Sequence, residues 1–263
     1  MSLSDRLRRT AVWRSVFRQS HLRDDRSRAR VILNNIFLHL HPVRMPKSAI
    51  RLRYTWGMGA LCAILFAIEV VTGIMLMFYY RPTPEHAYLD MVDLAEQVPF
   101  GIVREMHRWA AHLMVVTVWL HMLRVFLTGS YKPPRQFNWV VGVFLLVLTM
   151  FLSFTGYLLP WDQLSYWAIT VGSNMARSVP FLGQDGPGAG ALGLVHAGND
   201  IRFLLLGGRT VGANALLRFY VLHCVLVPLA TVVLMAVHFW RIRRDGGMSG
   251  PEAYADVDRA GGS

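Results

Sequence analysis

Four long apolar stretches, separated by more polar connections, dominate the chain. A membrane-spanning helix needs about 20 consecutive, mostly apolar residues. The stretches that meet this length are residues 55–80, 101–128, 138–159 and 217–240. The pattern predicts an all-α membrane protein whose four transmembrane helices form a bundle. We call these helices the first to fourth spans.

The connection between the third and fourth spans begins with an amphipathic segment. Its sequence, starting at Leu159, is Leu-Pro-Trp-Asp-Gln-Leu-Ser-Tyr-Trp-Ala-Ile. This pattern predicts a helix that lies on the membrane surface, with Asp162 as its N-cap. The Gly-rich stretch from Gly183 to Gly212 shows no clear periodicity, and we predict no secondary structure for it.

Composition excludes a typical soluble domain and places the positive charge before the first span. Hydrophobic residues make up 54% of the chain and charged residues 16%, and the net charge is +11. Residues 1–53 hold thirteen lysines and arginines against three acids. Such an arm favours contact with anionic lipid headgroups, and nucleic-acid binding is the weaker alternative. Residues 31–41 of the arm could form an interfacial helix. The predicted domains are the basic arm at 1–54, the four-helix domain at 55–244 and a tail at 245–263.

The connections between spans differ in charge, which predicts the orientation of the protein. The connection between the second and third spans carries Lys132 and Arg135, and further arginines follow the fourth span. The connection between the first and second spans instead contains four acidic residues and one basic residue, Arg81. Because basic loops stay on the cytoplasmic side, both termini are predicted to be cytoplasmic.

Two spans each carry a pair of histidines. His107 and His121 lie 14 residues apart in the second span, and His223 and His238 lie 15 apart in the fourth. Both spacings return to within about 60° of the same helix face, roughly 21 to 22 Å further along the axis. Because the two spans run in the same direction, His107 is predicted to be level with His223, and His121 with His238. We call these the outer pair and the inner pair.

Two imidazoles at one membrane depth indicate an iron site. Polar groups inside a membrane are costly and usually functional, and imidazole is an axial ligand of haem iron. The alternative is that each histidine only hydrogen-bonds within the bundle. That alternative suits a single histidine better than four in matched pairs. The sequence therefore predicts a bundle that encloses two bis-histidine haems.

Glycines in the other two spans repeat the histidine spacing. Gly59 and Gly73 lie 14 residues apart in the first span, and Gly142 and Gly156 lie 14 apart in the third. A missing side chain leaves room for a macrocycle beside a non-ligating helix, whereas the alternative role is close helix packing. Because packing alone does not account for the shared period, the glycines are predicted to face the haems.

Charged residues lie near the predicted haems. Arg104 and Arg108 are close to the outer end of the second span, and Arg124 follows His121 by three residues. Arginine pairs bidentately with carboxylates, so these residues are candidates for binding haem propionates, with snorkelling to the membrane interface as the alternative. Glu69 in the first span is expected either to hydrogen-bond to a neighbouring helix or to handle protons.

Several motifs resemble the cytochrome b and b6 family over residues 55–251. They are Phe-Tyr-Tyr-Arg-Pro-Thr from Phe78, His-Arg-Trp-Ala-Ala-His from His107, Arg-Val-Phe-Leu-Thr-Gly from Arg124, Gly-Tyr-Leu-Leu-Pro-Trp-Asp-Gln from Gly156 and Arg-Phe-Tyr-Val-Leu-His from Arg218. The 15-residue histidine spacing in the fourth span is similar to that of the b6 branch. The length also fits the short, split form of cytochrome b.

The resemblance implies a redox subunit of a quinol-cytochrome c reductase in a bacterial inner membrane. Its cofactors would be two b-type haems, and quinone would be its substrate. Its partners would be a subunit resembling the C-terminal half of cytochrome b, a Rieske iron-sulfur protein and a c-type cytochrome, within a dimeric complex. The sequence lacks the Pro-Glu-Trp-Tyr segment of the family's outer quinol site, which the partner chain would supply.

The resemblance also implies positions for the quinone sites. Tyr157 and the surface helix from Trp161 to Ala168, with Asp162 at its start, would wall an outer quinol-oxidation site. Arg243 would hold a quinone or a propionate near the inner haem. Electrons would pass from quinol to the Rieske centre and through the two haems to quinone at the cytoplasmic face, with protons released outside.

One departure from the family concerns a further haem. The b6 branch attaches a haem through a cysteine in the first span, and the aligned position here is Gly57, with Cys62 displaced by five residues. We therefore expect no covalent c-type haem. A rival hypothesis is a dihaem membrane anchor that passes electrons between quinone and a peripheral dehydrogenase. That class does not require the surface helix or the matched glycines.

Overall fold

The computed structural model describes residues 24–26, 29, 55–97, 101–189, 195–196, 198–245 and 247. In these residues all regular structure is helical. The helices are α1 Met58–Met77, α2 Ala87–Glu96, α3 Gly101–Leu127, α4 Gln136–Tyr157, α5 Gln163–Ala176, α6 Ile201–Leu206, α7 Ala213–Val221 and α8 Val227–Arg244. A π-helical turn, Leu222–Leu226, joins α7 to α8.

Four helices in the described part of the chain are long and apolar enough to cross a membrane. They are Met58–Met77, Gly101–Leu127, Gln136–Tyr157 and Ala213–Arg244. These confirm the four predicted spans and the all-α fold class. The third span ends at Tyr157, three residues before Pro160, which has no N–H to continue the helix.

The fourth span contains one irregular turn, which includes His223. The turn is π-helical over Leu222–Leu226 and is followed by Pro228 in the first turn of α8. Proline cannot donate the α-helical bond to the carbonyl of Cys224, and a local π turn accommodates that loss. A π turn also takes up one more residue than an α turn. It therefore offsets the additional residue in the histidine spacing of this span.

The surface helix α5 lies between the third and fourth spans, as predicted. The Asp162 carboxylate accepts the backbone N–H of Ser165 at 2.7 Å and its hydroxyl at 2.8 Å. The predicted N-cap is thus confirmed. Ser165, Ile169 and Ser173 repeat every four residues and form the buried face of the helix.

Two short helices were not predicted from the sequence. Helix α2 lies in the connection between the first and second spans, and α6 lies inside the stretch from Gly183 to Gly212. The prediction of no secondary structure is therefore wrong over Ile201–Leu206. Asp200 caps α6 by accepting the Phe203 N–H at 2.9 Å, and Gly207 ends it with a φ of 65°.

The chain divides into two compact units, Gly57–Gly129 with Trp139–Met235, and Met1–Trp56 with Ser130–Asn138 and Ala236–Ser263. In the first unit, α1 packs against α3 more extensively than any other two of the described helices pack. Leu65, Ala110 and Met114 form a buried cluster in this contact. This packing places residues of the first span beside the histidines of the second.

The main core of the first unit lies where α5, α6 and α7 meet the ends of α1 and α4. Its buried members are Tyr80, Ala87, Leu158, Leu159, Ile169, Leu206, Ala215, Leu216 and Phe219. The Tyr80 hydroxyl donates to the carbonyl of Leu159 at 2.6 Å, and its ring stacks on Tyr220 with centroids 5.7 Å apart. This contact ties the residues that follow α1 to those that follow α4.

An ion pair holds α2 to the end of the first span. Arg81 donates to Asp90 from its backbone N–H at 2.8 Å and from its guanidinium, and the Asp90 side chain is only 4% exposed. The hydrogen bond from the Arg81 side chain holds the pKa of the Asp90 carboxyl below its usual range.

In the second unit, the end of α8 is held by arginines. Arg241 pairs with Asp245 at 3.0 Å and lies over the Phe137 ring at 5.1 Å. Arg135 donates to the backbone carbonyl of Asp245 at 3.2 Å, which satisfies a carbonyl at the helix end. The predicted interfacial helix at residues 31–41 lies outside the described residues, and the predicted domain boundaries stay a prediction.

Candidate metal centre

The two histidines of the outer pair lie close together in the first unit. The rings of His107 on α3 and His223 on the π turn have centroids 6.2 Å apart and planes at 80°. A first-row metal binds an imidazole nitrogen at about 2.0 to 2.1 Å, the value for zinc, so imidazoles on opposite sides of one metal have ring centres roughly 6 Å apart. The separation of the outer pair is close to this value.

Threonines from the other two spans contact Nδ1 of both rings. Thr72 Oγ1 lies 2.8 Å from His107 Nδ1, and Thr155 Oγ1 lies 3.1 Å from His223 Nδ1. Both hydroxyls donate to a carbonyl of their own helix, at Ile68 and Phe151, so their oxygens are left to accept from the imidazoles. A proton on Nδ1 leaves the lone pair of Nε2 available for a metal.

Glu69 also contacts His107. Its Oε2 lies 3.0 Å from His107 Nδ1, and the side chains of Glu69 and His107 are 17% and 21% exposed. Of the two roles considered for Glu69, the structure supports a contact with the neighbouring helix. A carboxylate in a membrane span is costly unless it is paired, and the imidazole provides that pairing.

The outer-level glycines lie directly against the histidine rings. A Cβ built on Gly73 would lie 3.3 Å from His107 Cε1, and one built on Gly156 would lie 2.6 Å from His223 Cε1. The second distance is well inside van der Waals contact. Any side chain at position 156 would therefore force the ring or the α4 backbone to shift.

The residues predicted for the inner level are divided between the two units. A Cβ built on Gly59 would lie 3.5 Å from His121 Cε1, an ordinary contact. Gly142 is buried in α4. His238 lies in the second unit, where its ring packs beside Phe239 with centroids 6.2 Å apart. The pairing of His121 with His238 stays a prediction.

The outer arginines of α3 form local contacts. Arg104 and Arg108 both pair with Glu105, and the Arg108 guanidinium lies 5.1 Å from the centre of the Trp109 ring. Arg124 is in the last turn of α3. The predicted contacts of these three arginines with propionates stay a prediction.

The residues predicted for the quinone sites have different environments. Tyr157 is 53% exposed at the end of α4, and its backbone carbonyl accepts the Ser165 hydroxyl at 3.0 Å. The carboxylate of Asp162 is engaged as the cap of α5, and Ala168 packs against the main core. Arg243 lies in the last turn of α8.

Comparison with known families agrees with this arrangement. A family model described as cytochrome b/b6/petB matches residues 43–186, and one described as cytochrome b(N-terminal)/b6/petB matches residues 191–260. The chain belongs to the cytochrome b/b6 family. The resemblance noted in the sequence is thereby confirmed, and the four spans are those of a multi-pass membrane protein of this family.

Individual cytochromes b6 are similar over most of their length. The chain is 42% identical over 207 residues to cytochrome b6 of Heliobacterium mobile, covering 78% of this chain and 88% of that protein. It is 42% identical over 195 residues to cytochrome b6 of Porphyra purpurea, covering 74% of this chain and 83% of that protein.

A solved structure titled hyperthermophilic respiratory Complex III is also similar. The match has a TM-score of 0.69 and 26% identity, and it covers 95% of this chain. It covers 57% of the matched chain, so the present chain spans little more than half the length of that structural relative.

Cytochromes b generally bind b-type haems, and the outer pair fits such a group. The two rings, 6.2 Å apart, would hold the group, and the hydroxyls of Thr72 and Thr155 lie at Nδ1 of each ring. In metal-bound histidines the second ring nitrogen is commonly held by a hydrogen-bond acceptor.

Thr72 and Thr155 were missed by the sequence reasoning. Each directly precedes a glycine of the predicted haem set, Gly73 and Gly156. A Thr-Gly pair recurring in the two spans without ligands was therefore the available signal. The position aligned with the family's cysteine, Gly57, has a φ of 66° at the start of α1, a conformation that suits glycine.

Proposed function

We propose that this cytochrome b/b6-family protein is the dihaem subunit of a quinol:cytochrome c, or plastocyanin-like acceptor, oxidoreductase. In this role it carries electrons across the membrane between an outer quinol-oxidation site and an inner quinone-reduction site, coupled to proton translocation. The observation that carries the proposal is the outer pair, two histidines with ring centres 6.2 Å apart and Nδ1 of each held by a threonine.

His107 and His223 would hold one b-type haem, and His121 with His238 would hold the second. When bound, each haem supplies reversible one-electron exchange at its iron, at a potential set by its ligands and surroundings. The protein's own part would be to keep Nε2 of the two outer ligands unprotonated, through contacts at Nδ1. Thr72 performs this for His107 by accepting the Nδ1 proton.

The glycines would allow the two helices that carry them to approach the two helices that carry the histidines. Gly73 and Gly156 already admit the edges of the outer histidine rings. Gly59 and Gly142 would do the same at the inner level. The haem propionates would accept bidentate hydrogen bonds from arginine side chains. The candidate donors are Arg104, Arg108 and Arg124.

The quinone sites would lie at the two ends of the spans. Tyr157, whose side chain is 53% exposed, and the face of α5 near Ala168 would line the outer site. Asp162 would position this wall by capping α5. Arg243, in the last turn of α8, would hold a quinone or a propionate at the inner side.

The partners would be a subunit resembling the C-terminal half of cytochrome b, a Rieske protein and a c-type cytochrome, assembled as a dimer. The location would be a bacterial inner membrane with both termini cytoplasmic, which the arginines at the end of α8 support. No covalent c-type haem is expected, because Gly57 occupies the aligned position.

The test is a redox-titrated visible spectrum of the purified complex with variants of each histidine. Two b-type components per chain are expected. Acid-acetone should extract both haems from the protein, because neither is covalently attached. His107→Ala and His223→Ala should remove one component, and His121→Ala and His238→Ala the other. His112→Ala is the matched control, because His112 Nδ1 bonds to the Arg108 carbonyl of its own helix at 2.6 Å.

Two results would contradict the proposal. One is a single haem per chain in the unmodified complex. The other is a spectrum in which His107→Ala and His223→Ala remove different components, since the two rings face each other in the structure.

A further inference from the structure

We propose that Glu69 is a positioning residue that lowers the reduction potential of the haem bound by the outer pair. Its carboxylate would act through His107, as a charged hydrogen-bond acceptor on the ring nitrogen that does not bind iron. The inference rests on the proposed function, because it takes His107 to be a haem ligand.

The contact crosses from one span to another. Glu69 Oε2 lies 3.0 Å from His107 Nδ1, and both side chains are mostly buried. The two helices involved, α1 and α3, form the most extensive contact among the described helices. Packing around Leu65, Ala110 and Met114 therefore fixes the part of α1 that carries Glu69.

The carboxylate has an unusual environment for a membrane span. Within the described residues its second oxygen, Oε1, is buried and has no hydrogen-bond partner. A buried carboxylate in a span is expensive and persists when it has a specific partner. The imidazole of His107 is the polar partner that the structure provides.

The two outer ligands are held differently. His223 Nδ1 meets the Thr155 hydroxyl at 3.1 Å. His107 Nδ1 meets the Thr72 hydroxyl at 2.8 Å and the Glu69 carboxylate at 3.0 Å, so its single proton is shared between two acceptors. A carboxylate acceptor makes a ligating imidazole more electron-donating than a hydroxyl does.

The expected consequence is a preference for the oxidised iron. Oxidised iron carries one more positive charge than reduced iron, and a nearby negative charge favours it, strongly so in a medium of low dielectric constant. Removing the charge while keeping the shape, as in Glu69→Gln, should therefore favour the reduced state.

The experiment is a redox titration of both b-type components in the complete purified complex. Glu69→Gln should shift the oxidation equilibrium of the His107-dependent component by about tenfold toward the reduced form, which is ~59 mV for a one-electron couple. The second component should keep its potential. Glu69→Leu should shift the first component at least as far, and Glu69→Asp should restore part of the original potential.

Two controls separate this effect from general damage. Glu96→Gln removes an exposed carboxylate at the end of α2 and should leave both potentials unchanged. Thr72→Val removes the competing hydroxyl and should leave the Glu69 effect in place, since the carboxylate then becomes the sole acceptor for His107 Nδ1. Electron paramagnetic resonance of the oxidised complex reports the ligand field of each haem independently of activity.

The outcomes distinguish this inference from the proposed function. If the unmodified complex lacks two b-type components, the proposed function fails. If both components are present and Glu69→Gln and Glu69→Leu leave the potentials and resonance signals of both unchanged, this inference alone is overturned. A shift confined to the His107-dependent component supports it.

Discussion

Adding one methyl group at Gly156 should displace the His223 ring. A Cβ at this position would lie 2.6 Å from His223 Cε1, 3.1 Å from Nε2 and 3.2 Å from Nδ1. Carbon atoms in favourable contact lie about 3.5 to 4.0 Å apart. The ring or the α4 backbone must therefore move by roughly 1 Å in Gly156→Ala.

Neither neighbour can move freely. His223 is held at Nδ1 by Thr155, the residue next to Gly156, and Thr155 is fully buried. Overpacking of this kind costs about 1 to 3 kcal/mol. At about 1.4 kcal/mol for each factor of ten, the outer haem should bind roughly five to 150 times more weakly.

Three glycines provide a graded series for the same substitution. The added Cβ would lie 2.6 Å from a histidine ring at Gly156, 3.3 Å at Gly73 and 3.5 Å at Gly59. Loss of haem in the purified complex, measured from the amplitude of each b-type component, should therefore be largest for Gly156→Ala and smallest for Gly59→Ala. Val147→Leu enlarges an exposed side chain of α4 and should have no effect.

If Gly156→Ala retained both components with unchanged spectra and potentials, the ring would not lie against α4 as described. The 14-residue period of the glycines would then reflect helix packing alone.

Three further predictions follow from other contacts. Thr155→Val should shift the potential of the His223-dependent component because it removes the acceptor for Nδ1, whereas Thr149→Val, which loses only a bond to its own helix at 2.9 Å, should shift neither component. Asp162→Ala should lower thermal stability by about 0.5 to 2 kcal/mol through loss of the α5 cap, and an unchanged melting temperature would exclude that role. The pKa of Asp90 is lowered in the folded protein by Arg81, so its stabilising contribution is complete above the unfolded pKa of about 3.9 and disappears as the pH falls through the folded value. The stability difference between the unmodified protein and Asp90→Asn should accordingly be constant above about pH 5 and shrink in acid, and a difference that grew in acid would contradict this.

Sequence alone determined the features that depend on local chain properties. Length and hydropathy define a span without reference to other spans, so all four were predicted. The helical repeat also converts a 14-residue spacing into a shared face, which predicts a common role for the histidines and the glycines. The cap of α5 was readable for the same reason, since Asp162 bonds to a residue only three positions away.

Local signals were also present where the prediction failed. Helix α6 has an aspartate cap at Asp200 and a terminal glycine at Gly207, yet it is only six residues long. A helix this short carries no apolar periodicity by which to recognise it. The π turn around His223 was likewise unpredicted, although Pro228 marks the point where an α-helical hydrogen bond is lost.

Which groups contact the histidine rings depends on how the helices pack against one another. Thr72 and Glu69 lie three residues apart on α1, and nothing in their spacing reveals that both meet Nδ1 of a histidine 35 or more positions away. That contact depends on the rotation of α1 against α3, which side-chain packing sets. Apolar packing in a membrane discriminates weakly between rotations of a uniformly apolar helix, because lipid tails are as apolar as the helix surface. The outcome depends on close contacts such as Leu65 against Ala110 and Met114, and these exist only once the helices have met.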